Sequence, residues 1–274
     1  MGWLLAAGLS PARAEMTAYA VDGLARVRPE DPARVASSIT IAAARNEYEP
    51  FQIIVHAGRF LSGVNVTATD LRSNSGGVIS ATNLTFYREH YVDITIPSEN
   101  SLEGRGWYPD ALIPCTSPPA ALRMPVTPRF TGAPFRVSAG RNQPVWVDVF
   151  VPKGTVAGDY VGIVTVSAAN EKPVQISVQL TVWNITLPDT PSLRSNFGKL
   201  DINIAKAHGV EMNSGPFQTP EWNYAVSLAA HRISPIITNT DYPRVHDDGS
   251  IDYSRTHAEL KKWIDTFHVT GFPI

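Results

Sequence analysis

The chain has 274 residues, enough for one large domain or two average ones. Hydrophobic residues make up 43% and charged residues 18%, so the composition supports a packed core and excludes a disordered chain. A formal net charge of -2 gives no electrostatic footprint for nucleic acid, and no apolar run approaches the ~20 residues of a membrane-spanning helix. The single cysteine, Cys115, excludes an internal disulfide framework and a zinc site built from several cysteines.

The first fourteen residues have the pattern of an export signal. Gly2–Leu9 is a short apolar stretch, and Ala12-Arg13-Ala14 has the small residues that signal peptidase reads. We predict cleavage after Ala14 and a protein that is periplasmic or extracellular. A basic segment is missing, so we expect residues 1–14 to be part of a longer signal peptide. The alternative is a frayed or buried N-terminal segment.

From about Met16 to Pro188 the hydrophobic pattern has a period of two, which places alternate side chains on opposite faces of a strand. The alternation is clearest in three stretches, 145–151, 160–166 and 174–182. Earlier strands are predicted at Phe51–Val55, Val64–Thr69, Leu84–Tyr87 and Tyr91–Ile96. Seven or more short strands with Gly/Pro turns predict a mostly β chain, with an antiparallel, immunoglobulin-like β-sandwich over residues 15–191.

Residues 97–135 interrupt this pattern with eight prolines, each of which removes a backbone donor and fixes φ. We interpret this stretch as a long irregular loop that either carries function or covers something. It contains Trp107, Tyr108 and Asp110, and in a sugar site the aromatic rings would stack on a pyranose while the carboxylate binds hydroxyl groups. The alternative is a rigid covering segment in which Asp110 caps backbone donors.

After residue 191 the pattern changes from strands to alternating short strands and helices. Thr219-Pro220-Glu221 has the residues of a helix start, with a hydroxyl cap, a proline and an acid near the positive end of the dipole. A second helix is predicted to be capped by Ser254 and closed by Gly271. Short buried strands are predicted at Ser195–Leu200 and Pro235–Thr238.

The β-α-β-α order predicts that residues 192–274 are the N-terminal part of a (β/α)8 barrel. These 83 residues hold about two βα units, whereas a complete barrel needs ~250 residues. Two units cannot cover their own sheet, so we expect the chain to be a fragment of a longer polypeptide. The polar stretch 246–252 lacks the ligand spacing of a calcium loop and is predicted to be a turn. The sequence predicts no metal site and no cofactor.

Four segments in this order resemble a known family. They are Ala44-Arg45-Asn46-Glu47-Tyr48-Glu49-Pro50-Phe51-Gln52, Tyr108-Pro109-Asp110-Ala111-Leu112-Ile113-Pro114, the hairpin from Val151-Pro152 to Gly162, and the stretch from Leu228 to Pro235. Together they resemble segments of glycoside hydrolase family 123 and its relatives. The resemblance spans about residues 40 to 274 and implies an N-terminal β-sandwich followed by a catalytic (β/α)8 barrel.

The resemblance also implies a retaining exo-β-N-acetylgalactosaminidase that works by substrate assistance, an exception to the usual two-carboxylate scheme. In such an enzyme the 2-acetamido oxygen of the substrate attacks the anomeric carbon. A consecutive Asp-Glu pair on a middle barrel strand then orients the amide and protonates the leaving group. This sequence contains no Asp followed directly by Glu, so we predict no catalytic residues in this chain and an inactive fragment.

Barrel sites form at the carboxyl ends of the strands, which indicates four candidate sugar-binding positions. Asp201 and Asn203 follow the first predicted strand, and Asn239 and Asp241 follow the second. Asp201 is predicted either to bind a sugar hydroxyl or to stabilise a turn, and both alternatives remain open. For Asn203 a structural role in a turn or helix cap is preferred. His231 is interpreted as a cation at the negative end of a helix, and Arg232 as a substrate ligand or the partner of an acid between domains.

The leading hypothesis is an exported glycoside hydrolase-like protein with a glycan substrate and no nucleic-acid or membrane partner. The candidate substrate-binding residues are Trp107, Asp110, Asp201, Arg232, Asn239 and Asp241. The rival hypothesis is a non-catalytic carbohydrate-binding or structural surface protein. It is motivated by the sandwich, the aromatic residues of the proline-rich stretch and the missing acid pair.

Overall fold

A computed structural model describes residues 16–115, 130–195, 201–235 and 243–270. The strands are β1 (Met16–Asp22), β2 (Ser38–Arg45), β3 (Glu47–Ala57), β4 (Leu61–Ala68), β5 (Leu71–Ser73), β6 (Val78–Ile79), β7 (Leu84–Ile94), β8 (Gly106–Pro114), β9 (Phe135–Val137), β10 (Arg141–Val151), β11 (Gly158–Ser167), β12 (Val174–Thr186), β13 (Arg244–Val245) and β14 (Ile251–Asp252). The helices are α1 (Asp201–His208), α2 (Gly215–Ala230) and α3 (Ser254–Phe267).

Twelve of these strands form a two-sheet sandwich, as the alternating pattern predicts. The first sheet has the order β1-β3-β10-β7-β8, and the second has β2-β12-β11-β4-β9 with β5 and β6 attached beside β11. The inward side chains of both sheets form one core that includes Phe51, Val147, Val164 and Val178, all completely buried. Pairing is antiparallel except between β2 and β12, which are parallel, so the prediction of an antiparallel sandwich holds with one exception.

The proline-rich stretch 97–135 is not the continuous loop that the sequence predicted. Residues 106–114 form β8, which pairs with β7 at the edge of the first sheet. An edge strand tolerates proline because one side of its backbone needs no ladder partner, and Pro109 and Pro114 both lie here. The same pairing joins the two predicted strands 84–87 and 91–96 into the single strand β7. Residues 116–129 lie outside the described ranges.

The helical region confirms the predicted helices but corrects their ends. Helix α2 begins about one turn earlier than Pro220. The Oγ of Ser214 caps it by accepting a hydrogen bond from the Phe217 amide, and Pro216 is the proline in its first turn. Ser254 is the first residue of α3 and does not cap it; the Asp252 carboxylate accepts a hydrogen bond from its amide instead. Helix α3 ends at left-handed His268.

The barrel stays a prediction, because most of its predicted strand residues lie outside the described ranges. The first predicted strand lies almost entirely outside the described residues, as does the second after Pro235, and so do the predicted signal peptide and Gly271. The strands described after residue 191 are β13 and β14, an antiparallel pair that closes the predicted polar turn. In the described part of the chain, no helix is long and apolar enough to span a membrane.

Candidate functional site

The structure distributes the predicted sugar-binding residues over two regions. Trp107 and Asp110 lie on β8, and both are exposed. Asp201 is the first residue of α1 and is buried, a position where a carboxylate stabilises the helix dipole. Arg232 follows α2 in a left-handed conformation with φ of 63°. Asn239 and Asp241 lie outside the described residues, so their predicted role stays a prediction.

Of these residues, Asp110 lines a cleft of about 310 Å³ on the outer face of the first sheet, which we call the Glu89 cleft. Its walls come from four adjacent strands and one loop. The lining residues are Gly23, Leu24, Ala25, Arg26, Gln52, Glu89, Pro109, Asp110, Leu112 and Trp146. Strand register explains the grouping, since Trp146 pairs with Gln52 across β10 and β3, and Glu89 pairs with Leu112 across β7 and β8.

The position of Asp110 depends on an irregularity in β8. Between the pairs Glu89–Leu112 and Tyr91–Pro109, the chain advances two residues on β7 and three on β8. An extra residue of this kind is a β-bulge, which bends the strand and redirects a side chain. Proline at position 109 favours the irregular pairing because it has no amide proton to donate.

Gln52, which lines the cleft, has a buried acceptor without a partner. Its Nε2 lies 3.3, 3.1 and 2.6 Å from the carbonyl oxygens of Asp22, Gly23 and Ala25, which share its two N–H donors. These bonds fix the amide plane and tie the loop after β1 to the sheet. The side chain is only 2% exposed, and its Oε1 has no hydrogen-bond partner.

Glu89 brings a buried carboxyl group to the same cleft. It is 5% exposed, and its Oε1 also has no hydrogen-bond partner. Burial disfavours the charged form and raises the pKa of Glu89 to about 7. The group therefore changes between a hydrogen-bond donor and an acceptor near neutral pH.

A second cleft of about 370 Å³ adjoins the first, sharing Arg26, Pro109 and Asp110 with it. Its wall includes Tyr108, whose ring lies 4.3 Å from the Arg28 guanidinium and whose hydroxyl donates to the carbonyl of Glu103. Arg26 forms an ion pair with the Glu103 carboxylate at 2.6 Å. These contacts tie the loop after β7 to the loop after β1, so Tyr108 acts as a structural anchor.

A third feature connects the sandwich to the helical region, and we call it the sandwich–helix contact. It consists of Tyr48 on β3, Asp148 on β10 and His231 at the end of α2. The Nε2 of His231 lies 3.2 Å from Asp148 Oδ2, and its ring stacks on Tyr48 with 4.7 Å between centroids. Asp148 also accepts a 2.6 Å hydrogen bond from the Trp146 indole. The hydrogen bond to Asp148 raises the pKa of His231.

The sequence interpretation of His231 as a helix-end cation missed this partner. His231 does lie at the end of α2, and its Nδ1 is 2.8 Å from the carbonyl oxygen of Ser227. A signal was present in the sequence, because Asp148 is the one carboxylate in the otherwise apolar stretch 144–151 of β10. A buried charge requires a partner, but 83 residues separate the two.

The segment 44–52, which carried the family resemblance, is a joint between the sandwich and the following linker. Asn46 adopts a left-handed conformation with φ of 64° at the turn between β2 and β3. Its Nδ2 donates to the carbonyl of Leu187 at 3.0 Å and to Asp189 at 3.1 Å. The Glu47 carboxylate accepts a 2.6 Å hydrogen bond from the amide of Ala44, which closes the turn. The segment therefore positions the linker as well as the strand.

Residues 25–168 match the family model described as the glycoside hydrolase 123 N-terminal domain. This range contains Gln52, Glu89, Asp110 and Trp146 of the cleft, together with Tyr48 and Asp148 of the sandwich–helix contact. It ends before the linker and before His231. No curated protein matches the sequence.

Among solved structures, the fold is similar to that of a family 123 glycoside hydrolase from Clostridium perfringens, studied for glycolipid glycan hydrolysis. The TM-score is 0.65 at 14% identity, over 93% of this chain and 46% of that one, so this chain spans about half the length of that enzyme.

Two further matches are weak. A PapD-like domain of human CEP192 aligns at 14% identity and a TM-score of 0.26, over 68% of this chain and 96% of that one. A GH5 xyloglucanase from Bacteroides ovatus aligns at 11% identity and a TM-score of 0.24, over 81% and 29%. Neither supports an argument about function. With the family model covering more than half of its residues, this chain belongs to the family defined by the glycoside hydrolase 123 N-terminal domain.

Proposed function

We propose that this chain supplies the accessory β-sandwich and the first part of the catalytic barrel of an exported glycoside hydrolase-like protein. The observation that carries the proposal is the family match over residues 25–168. The similarity of fold to the Clostridium perfringens enzyme over most of this chain supports the same arrangement. Export is supported by the signal-like residues 1–14, and Glu15 would then be the first residue of the mature protein.

The proposed reaction is hydrolysis of β-N-acetylgalactosaminides with retention of configuration. The acetamido oxygen of the substrate attacks the anomeric carbon while an acid protonates the leaving oxygen, and water then opens the cyclic intermediate. An Asp-Glu pair would orient the amide and donate the proton. Because this sequence has no Asp followed by Glu, we place that pair outside residues 1–274 and propose that this chain alone is inactive.

Within this proposal the described residues have a positioning role. The Asp148–His231 hydrogen bond and the stacking of Tyr48 fix the end of α2 against the first sheet. The Asn46 hydrogen bonds fix the linker that leads into the helical region. Attachment at the linker and at the end of α2 limits how the second region can rotate relative to the sandwich.

The test begins with sequencing the gene beyond the codon for Ile274. An additional ~250 residues with repeated βα units and an Asp-Glu pair after a strand support the enzyme. The complete protein is then assayed with an aryl N-acetyl-β-galactosaminide, and the matched aryl β-galactoside, which lacks the acetamido nucleophile, is the control. Hydrolysis of the first substrate alone is expected, with none by the 274-residue chain. If the complete protein hydrolyses no glycoside, the proposal is wrong.

A second candidate function, a non-catalytic carbohydrate-binding protein, is favoured by one observation. Trp107 is 46% exposed on the edge strand that also carries Asp110, and an exposed indole offers a stacking surface for a sugar ring. A glycan array probed with the 274-residue chain and its Trp107→Ala variant tests this function. Binding that depends on Trp107 supports it, whereas an array without hits contradicts it.

A further inference from the structure

Two of the residues that line the Glu89 cleft carry buried acceptors without partners. The Oε1 atoms of Gln52 and Glu89 belong to side chains that are at least 95% buried, and neither accepts a hydrogen bond. An unsatisfied buried polar atom costs about 1–3 kcal/mol, so native proteins leave few of them without a reason. Both residues line the same cleft, which points to a ligand that donates hydrogen bonds there.

The orientation of Gln52 makes it a fixed acceptor. Three backbone carbonyls take the Nε2 side of the amide, so rotation of the amide would place oxygen against oxygen. A ligand therefore has to present a donor to Gln52 Oε1. Glu89 is less restrictive, since its carboxyl group accepts when ionised and donates when protonated.

The rest of the lining favours a compact ring with hydroxyl groups over a metal ion. Trp146, Pro109 and Leu112 supply apolar wall, and Arg26 and Asp110 supply polar groups from the loop and the edge strand. The volume of about 310 Å³ lies at the lower end of small-molecule sites. The described residues contain no cluster of three metal-ligating side chains, which disfavours a metal ion.

We infer that the Glu89 cleft is a binding site for a neutral pyranose sugar. Ring hydroxyl groups donate to Gln52 Oε1 and to the Glu89 carboxyl group, the Asp110 carboxylate accepts a further hydroxyl, and the indole of Trp146 packs on the ring. The inference depends on the cleft alone and holds whether or not a longer protein hydrolyses glycosides.

The site is connected to the sandwich–helix contact through one side chain. The indole Nε1 of Trp146 donates to Asp148 Oδ1, and Asp148 Oδ2 is the atom that faces His231. A ligand that packs on Trp146 therefore touches the residue that orients Asp148. This connection also makes Trp146 fluorescence a suitable reporter of binding.

The experiment titrates the 274-residue chain with methyl β-glycosides of galactose, glucose, N-acetylgalactosamine and N-acetylglucosamine. Saturation-transfer NMR detects binding and tryptophan fluorescence measures the Kd. We expect at least one pyranoside to bind and the Asp110→Ala variant to weaken its binding at least tenfold. Asp93→Ala is the matched control, because Asp93 is an exposed carboxylate on the neighbouring strand β7 and lines neither cleft. Its Kd should remain within twofold of the parent chain.

Glu89→Gln and Gln52→Leu test the buried acceptors, and each should weaken binding while the far-ultraviolet circular dichroism is unchanged. If a buried variant fails to fold, the exposed Asp110 and Asp93 pair still decides the question. Absence of binding by all four glycosides overturns the inference, as does binding that Asp110→Ala leaves intact. Displacement of the sugar by calcium also overturns it. Sugar binding without hydrolysis supports the inference and leaves the proposed enzymatic function to its own assay.

Discussion

The sandwich and the helical region differ in how they bury apolar surface. In the sandwich, a large continuous cluster runs through both sheets from Met16 to Val182, and a smaller separate cluster contains Tyr19, Val21, Val27 and Ile54. In the described part of the helical region, burial is divided into a cluster of Ala225, Trp263, Phe267 and Val269 and another of Ile204, Ala205 and Phe217. The sandwich is therefore stable as a unit, whereas the helices depend more on individual contacts and on their attachment to the first sheet.

The prediction with the largest expected effect compares a substitution in the sandwich core with one in a small helical cluster. Phe51→Ala removes a completely buried ring from the continuous core and should lower the free energy of unfolding of the sandwich by about 3–5 kcal/mol. Phe217→Ala, in the small cluster, should reduce the helical signal and leave the sandwich transition in place. Urea denaturation followed by circular dichroism and tryptophan fluorescence measures both.

Phe60→Ala is the control for this pair, since Phe60 is 57% exposed and its loss should change stability by less than about 0.5 kcal/mol. If Phe217→Ala destabilises the sandwich as much as Phe51→Ala does, the two regions form one cooperative unit and the comparison fails.

The next prediction concerns the pH dependence of stability that the buried Glu89 carboxyl group causes in the sandwich. Burial raises the pKa of Glu89 from its ordinary value of 4.5 to about 7 in the folded protein. The contribution of Glu89 to stability is therefore complete below pH 4.5 and is lost as the pH rises through 7. At about 1.4 kcal/mol per pKa unit, the loss amounts to roughly 3 kcal/mol. Glu89→Gln cannot ionise, so its free energy of unfolding relative to the parent should rise by that amount between about pH 4 and pH 8.

Urea denaturation across this pH range measures the difference, with Glu99→Gln as the control because Glu99 is exposed. Parallel pH profiles for the parent chain and Glu89→Gln would show that the pKa of Glu89 is the same in the folded and unfolded protein, which contradicts the prediction.

A smaller effect tests the joint at Asn46. Asn46→Ala loses the hydrogen bonds to Leu187 and Asp189. Alanine also adopts the left-handed conformation of this turn less readily than asparagine does. We expect a loss of about 2 kcal/mol, of which ~1 is the backbone cost and ~1 the hydrogen bonding. Asn46→Gly keeps the backbone conformation and should lose only about half as much. Equal midpoints of thermal unfolding for the two variants would contradict this division.

The smallest effect concerns the sandwich–helix contact. Hydrogen bonding to Asp148 raises the pKa of His231, so its contribution is complete below the ordinary pKa of 6.5 and is lost as the pH rises through the folded value. Because the side chain is 37% exposed, we expect less than about 1 kcal/mol. Hydrogen exchange at the end of α2, corrected for intrinsic rates, should accelerate from about pH 6 to pH 8 in the parent chain.

His231→Phe keeps a ring to stack on Tyr48 but removes the ionisable group, so its exchange rates should not show this pH dependence. If the variant retains the same pH dependence as the parent, the contact does not depend on His231.

The residues explain which parts of the fold were predictable. Apolar residues at alternate positions, such as Val145, Val147 and Val149, indicate a strand with one buried face, so the core strands could be predicted from the sequence. Strand β8 did not, because Pro109 and Pro114 break the local signal and only the edge position beside β7 makes them acceptable. The start of α2 was displaced by one turn because Pro216 and Pro220 carry similar signals within five residues.

By itself, the sequence determined the sandwich, the change to helices after residue 191 and the family, because these depend on local periodicity and on contiguous motifs. Only the tertiary structure decided that Gln52, Glu89, Asp110 and Trp146 share one cleft and that Asp148 meets His231. Such groupings depend on which strands are neighbours in a sheet and in what register they pair. Register is set by packing across the whole core, so no short stretch of residues encodes it.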